Sequence, residues 1–187
     1  CGSLSDFETV YNFGKDLDLI TIEIEKVNVD ALEKLEEEGV VVYPQSRIIR
    51  LIQDKGLQKQ FFKQNDIPTS AFQLISNKDN LTNASLSLPY IQKLRKDGYD
   101  GKGVKKIVTE ADIEHAFEEP SLIEEWVDFE KEIAVIVARN DRGDVSTFPM
   151  VEMEFNPQAN LVEFLIAPSL YGVEIQQRAE AIAKKIA

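Results

Sequence analysis

The sequence predicts an α/β fold at its start and an α+β lobe after it, and three observations carry that reading. A nearly continuous apolar run from Leu17 to Ile24 is followed by an amphipathic stretch and a second short apolar run, the order of a βαβ unit whose strands are buried on both faces. From Phe72 onward, short extended segments replace the helical spacing. Between two of those segments lies a cationic island, Lys93 to Lys106, in which six of fourteen residues are basic and three are glycine. The whole chain, by contrast, has 187 residues and a formal net charge of −12.

Taken in order, Leu17 to Ile24 is the first strand. Asn28 caps the following helix, Asp30 suits its first turn, Ala31, Leu32 and Leu35 form its buried stripe, and Gly39 ends it. Val40 to Tyr43 is the second strand, closed by Pro44. Glu36, Glu37 and Glu38 read as a solvated helix face, and Glu23 and Glu25 as solvated carboxylates at a strand end where α/β sheets form ligand crevices. Ser46 opens a longer helix reaching Asn65, weakened at Gly56, where glycine costs roughly 1 kcal/mol relative to alanine.

Phe72 to Ile75 and Leu88 to Leu94 are strands, with Ile91, Lys93 and Arg95 on one face of the second. Val104 to Val108 is its hairpin partner. Thr109 and Asp112 form a variant capping box before a helix over Ala111 to Phe117, whose His115 has no acid, base or ligand partner at useful spacing and reads as structural. Leu122 to Val127 is an apolar extended segment holding paired carboxylates. Glu132 to Arg139, Val145 to Phe155 and Leu161 to Ile166 are the strands of an antiparallel meander. Ile175, Ala179, Ile182 and Ile186 then recur along one face of a final helix.

Composition narrows the function. A chain that is 43% hydrophobic can bury one large or two small cores. It has no apolar run of the roughly 18 residues a membrane helix needs. Its acidity argues against nucleic acid, whose binding rests on phosphate neutralisation. The first residues lack the basic start and apolar stretch of a secretion signal, and the single cysteine, Cys1, cannot form an internal disulfide, so a cytoplasmic setting is expected. The glycine loop admits two readings. It is a lid whose backbone N–H groups and lysines hold nucleotide phosphates, or a solvated hairpin, since Asp-Gly favours hairpin turns. No Walker A pattern and no Gly-x-Gly-x-x-Gly is present.

The succession Gln53 to Phe62, Ile67-Pro-Thr69, Gly98-Tyr-Asp-Gly-Lys-Gly103 and Glu124 to Glu132 resembles the ATP-grasp enzymes. Within them it is similar to the 5-(carboxyamino)imidazole ribonucleotide synthases, and the Gly-Tyr-Asp-Gly-Lys-Gly loop is rather specific for that type. Ile22 to Glu25 and Phe148 to Glu152 also fit the pattern. The resemblance implies an ATP-grasp fold: a βαβ remnant of a substrate-side domain over 1–49, a small lobe over 50–127, and the start of a large lobe over 128–187. It implies that Lys93 contacts the α-phosphate side of ATP and that Lys55, where the family often has Arg, reaches the phosphates from the preceding helix. Gly98, Tyr99, Asp100, Gly101, Lys102, Gly103 and Val104 would form the lid. Glu124, Glu125, Trp126 and Val127 would hold adenine through backbone groups, and Glu132 would accept from ribose hydroxyls.

The implied catalytic set is Lys93, Lys102 and Tyr99. The implied reaction carboxylates aminoimidazole ribonucleotide with bicarbonate and ATP through carboxyphosphate, in a homodimer. Two departures stand out. The family's Asn-x-His is here Met153-Glu154-Phe155, so the histidine contact is either absent or replaced at Glu154 and Phe155, with a solvent-facing strand position the alternative for Glu154. The opening Gly-Gly-Gly-Gln-Leu-Gly and the closing Asn-Glu-x-Ala-Pro-Arg segment are both absent, and with the latter the expected Mg2+ ligands. The chain is therefore expected to be a piece of a longer enzyme, inactive alone. The competing readings are another ATP-grasp carboxylate-amine ligase, a non-catalytic nucleotide-binding module, and an α/β interaction domain, which leaves the clustered lysines unexplained.

Overall fold

The computed structural model describes residues 2–96, 98, 102–156 and 161–187. The chain divides into two compact units. One holds the residues up to Gln58, rejoined by a short segment that starts at Arg95. The other holds the remainder.

In the first unit, α1 (Phe7–Gly14) precedes β1 (Leu19–Thr21), α2 (Val29–Glu37), β2 (Val41–Tyr43) and α3 (Ser46–Ile52). β1 and β2 pair in parallel with Ile20 opposite Val42, so β1–α2–β2 is the expected βαβ unit. The Asn28 side chain accepts from the Ala31 N–H, and Gly39 adopts φ +95° to turn the chain. Val10, Ile20, Leu32, Leu35, Val42 and Ile49 form the core. The first strand is shorter than Leu17 to Ile24, and neither strand is buried on both faces as expected, because Ile20 and Val42 alone are buried while Leu19, Thr21, Val41 and Tyr43 are exposed. Helix α1 lacked a sequence expectation, although Asp6 caps it by accepting from the Thr9 N–H. The Glu36 run is not simply solvated. Glu36 accepts from both the backbone N–H and the hydroxyl of Ser46, satisfying the start of α3, while Glu38 accepts from the Tyr11 hydroxyl.

The expected long helix from Ser46 is broken. α3 stops at Ile52 and α4 (Lys55–Gln64) begins after Asp54. Asp54 causes the break: its carboxylate accepts from the Gly56 and Leu57 N–H groups and from both Nε and Nη2 of Arg95, at 2.9 and 2.7 Å. Gly56 is buried in that corner, where an added Cβ would lie 2.6 Å from Arg95 Nε and 3.0 Å from Asp54 Oδ1. Gly56→Ala is therefore expected to lower stability by about 1–3 kcal/mol, through overpacking, rather than gain the helix propensity of alanine. A urea midpoint at or above wild type would contradict this.

The second unit is built on a four-stranded antiparallel sheet in the order β3 (Phe72–Ile75), β6 (Ser121–Glu125), β4 (Tyr90–Leu94), β5 (Val104–Ile107). One face carries Ile75, Tyr90, Ile107 and Ile123, packed with Leu81 and Ala116 beneath two short 3-10 segments, Lys78–Asn83 and Glu110–His115. The second of these has the expected Thr109–Asp112 capping box but is a 3-10 turn rather than an α-helix. Gln92 and Ser121, both fully buried on this face, hydrogen-bond each other. The expected strand 132–139 is two strands, β7 (Glu132–Ala134) and β8 (Val137–Arg139), and 145–155 likewise divides into β9 (Val145–Thr147) and β10 (Val151–Asn156). β10 lies between β7 and β11 (Leu161–Ile166), all antiparallel, while β8 and β9 pair separately. In α5 (Val173–Ile186) Ile175 and Ile186 are exposed and Ala183 is buried.

Candidate functional site

The pleat brings the charged residues of the sheet onto one face. Directly opposed residues share a face, and β4 and β6 pair Ile91 with Glu124 and Lys93 with Leu122. Lys93 and Glu124 are thus diagonal neighbours on the face opposite the Tyr90 core, and they form an ion pair. The other Glu124 oxygen accepts from Lys59 Nζ at 2.6 Å and from the Ser70 hydroxyl at 3.0 Å. Lys59, on α4, also donates to Thr69 Oγ1 at 2.6 Å and Ser70 Oγ at 2.9 Å. Lys59 was not among the sequence-predicted site residues. Only its pairing across the fold identifies it.

Burial opposes the ionisation of Glu124, but hydrogen bonds and charge from Lys59 and Lys93 outweigh it and hold the carboxyl below its ordinary value. A carboxyl depressed in the folded state contributes stability that is complete above its unfolded value, near 4.5, and is lost as pH falls through the folded value. Below about pH 4.5, the stability of Glu124→Gln should therefore fall less steeply than that of wild type, read as urea midpoint against pH. Parallel curves would refute the clamp.

The cationic island does not act as one group. Arg95 is held by Asp54 in the first unit. Lys105 donates to the His115 carbonyl and lies 4.2 Å from the Phe117 ring centre. Lys106 sits 3.5 Å over the Trp126 ring, on the face that carries Glu124. His115 thus enters through its backbone carbonyl. Lys102 and Val104 are exposed. Gly98 and Gly103 meet at the base of the loop: Gly103 has φ +78°, its carbonyl accepts from the Leu94 N–H, and it leaves no room for a Cβ, which would stand 2.9 Å from the Gly98 Cα. Cys1, Tyr99, Asp100 and Gly101 lie outside the described residues.

The β6 ladder ends at Glu125, and Trp126 and Val127 follow it as exposed residues. Glu132 opens β7, opposite Met153, and is half-buried. On the neighbouring strand Glu154 is paired with Lys131, and Phe155 follows it at a bulge. Glu152 is buried and accepts from the Ser169 hydroxyl and the Leu170 N–H, which together hold its carboxyl below the ordinary range. Lys55 lies in the first unit, where its N–H donates to the Arg95 carbonyl at 2.9 Å. Among the described residues no three His, Cys, Asp or Glu side chains gather to hold a metal ion.

A buried carboxylate flanked by lysines at the end of an antiparallel sheet is a site suited to polyanions. The ATP-grasp domain model matches residues 60–187, and the ribonucleotide synthetase preATP-grasp domain model matches residues 1–53. The chain belongs to the ATP-grasp family.

Its relatives narrow the field. The N5-carboxyaminoimidazole ribonucleotide synthase of Synechococcus elongatus is 32% identical over 98% of this chain and 48% of its own length. The carboxyaminoimidazole ribonucleotide synthase of Aspergillus clavatus, solved with ATP, superposes with TM-score 0.90 at 30% identity, covering 98% of this chain and 50% of that one. The same enzyme solved with ADP and 5-aminoimidazole ribonucleotide gives TM-score 0.86 at 27% identity, covering 98% and 49%. The chain spans about half the length of these relatives.

Proposed function

We propose that this chain is the nucleotide-binding part of an ATP-dependent carbon–nitrogen ligase that carboxylates 5-aminoimidazole ribonucleotide with bicarbonate, forming ADP, phosphate and 5-(carboxyamino)imidazole ribonucleotide in purine biosynthesis. The observation that carries it is Lys93, set on β4 beside Glu124 and at the root of the glycine loop. The relatives' names and their bound ATP, ADP and ribonucleotide support the same reading.

Bicarbonate is a poor electrophile because its leaving group would be hydroxide. Transfer of the γ-phosphoryl group of ATP to it gives carboxyphosphate, and attack by the exocyclic amine then expels phosphate. The protein's task is to position the phosphates and offset their charge. Lys93 binds phosphate oxygens, Lys102 and the rest of the Gly98 to Val104 segment, Tyr99, Asp100 and Gly101 included, serve as the lid over them, and Lys55 adds a further cation. The backbone groups of Glu124, Glu125, Trp126 and Val127 carry adenine and the Glu132 side chain the ribose, while Glu154 and Phe155 replace the family's histidine contact. Magnesium would accompany ATP and offset phosphate charge, and no group of three His, Cys, Asp or Glu side chains gathers to hold it among the described residues. A homodimer in the cytoplasm belongs to this reading, as does inactivity of the chain alone. Light scattering on the full-length protein tests the former.

The deciding experiment is ADP release by the full-length protein with ATP and bicarbonate, with and without aminoimidazole ribonucleotide. Release that requires the ribonucleotide supports the proposal. ATP binding without stimulation would assign another acceptor or a non-catalytic module.

A further inference from the structure

Around the buried Glu124 two ammonium groups face one carboxylate, so the cluster carries a net single positive charge. The two lysines are not equivalent. The three donors of Lys59 meet Glu124, Thr69 and Ser70, and its side chain is 16% exposed. Lys93 has Glu124 as its partner, and its side chain is 33% exposed. Lys59 is therefore saturated and fixed, whereas Lys93 keeps donors for a ligand. A carboxylate with Lys93 as its sole cation would cancel the charge a phosphate must feel. With Lys59 on its other oxygen, Glu124 can hold Lys93 in place without neutralising the site.

We propose that Lys59 is a positioning residue for nucleotide phosphates: its charge offsets Glu124, and through Glu124 it leaves Lys93 an effective phosphate ligand. This rests on the nucleotide-binding reading above. Lys59 never touches the nucleotide. It sets how much positive charge Lys93 presents, and the quantity that matters is the net charge of the three side chains rather than any one contact.

ADP binding to the full-length protein, measured by calorimetry, tests this. Lys59→Met is expected to weaken ADP binding about tenfold, the scale of one charge-assisted contact, and Lys59→Arg to stay within about threefold of wild type. Adding Glu124→Gln to Lys59→Met restores the net charge and should recover binding to within about threefold of wild type. A purely structural role for Lys59 predicts no such recovery, because the second substitution removes a further polar partner. Glu124→Gln alone raises the net charge and should tighten ADP binding, a readout that stands even where Lys59→Met fails to fold. A double variant as weak as Lys59→Met, or a Glu124→Gln that binds ADP more weakly than wild type, overturns the inference and leaves the nucleotide site intact. A wild-type protein that binds no ADP overturns the nucleotide reading itself, and the inference with it.

Discussion

Lys93→Ala is expected to weaken ADP binding on the order of a hundredfold while leaving the melting temperature close to wild type. Two effects combine. A charge-assisted hydrogen bond to phosphate is lost, and the Glu124 carboxylate, still held by Lys59 and Ser70, is left beside the bound anion. The fold should survive because Lys93 lies near the end of β4 with a third of its side chain exposed, and Glu124 keeps its other partners. Lys93→Met, which retains the apolar stem, should lose as much, since charge rather than packing is removed. Calorimetry with ADP, paired with a thermal melt, checks both halves. Unchanged affinity in a folded variant would remove Lys93 from the site.

The largest stability effect is expected at Asp54. Asp54→Ala should cost about 3 kcal/mol, a drop in melting temperature of roughly 8 °C for a chain of this size, because the cap of α4 and a two-point ion pair are lost together. Burial opposes the ionisation of Asp54, but Arg95 and the Leu57 and Gly56 N–H groups outweigh it and hold the carboxyl below its ordinary value. Asp54→Asn separates the contributions, since an amide oxygen still accepts from the Gly56 and Leu57 N–H groups but carries no charge for Arg95. Its loss should be about half that of alanine. An Asp54→Ala variant within about 0.5 kcal/mol of wild type would show the pair to be dispensable.

What the sequence made legible was local. Asn28 and Gly39 bound α2 as their chemistry dictates, and the β4–β5 hairpin and the Thr109–Asp112 box follow from turn and cap residues close in sequence. What it hid was set by distant partners. The break at Asp54 depends on Arg95, and the role of Lys59 depends on Glu124, neither visible within a window of helical periodicity. The 132–139 run alternates cleanly, yet it and the 145–155 run are each divided because their two halves pair with different strands. The final helix shows the reverse case: a regular apolar stripe whose Ile175 and Ile186 remain exposed. In the site itself, Lys93 was singled out through the family resemblance, and its ion pair with Glu124 was not legible. Nor was it legible that Lys105 and Lys106 turn instead to Phe117 and Trp126.

The return of Arg95 to the first unit bears on how such a chain can be inherited. By the time Arg95 is synthesised, the polypeptide has already left that unit at Lys59 and laid down β3 and β4 of the other. Neither unit is a contiguous stretch of gene. A recombination event or engineered split at codon 59 would hand one product Asp54 without its guanidinium and the other a guanidinium without its carboxylate. The pair acts as a stitch that ties both stretches of coding sequence to one ancestry, so the two units are expected to have travelled through evolution together rather than as exchangeable modules.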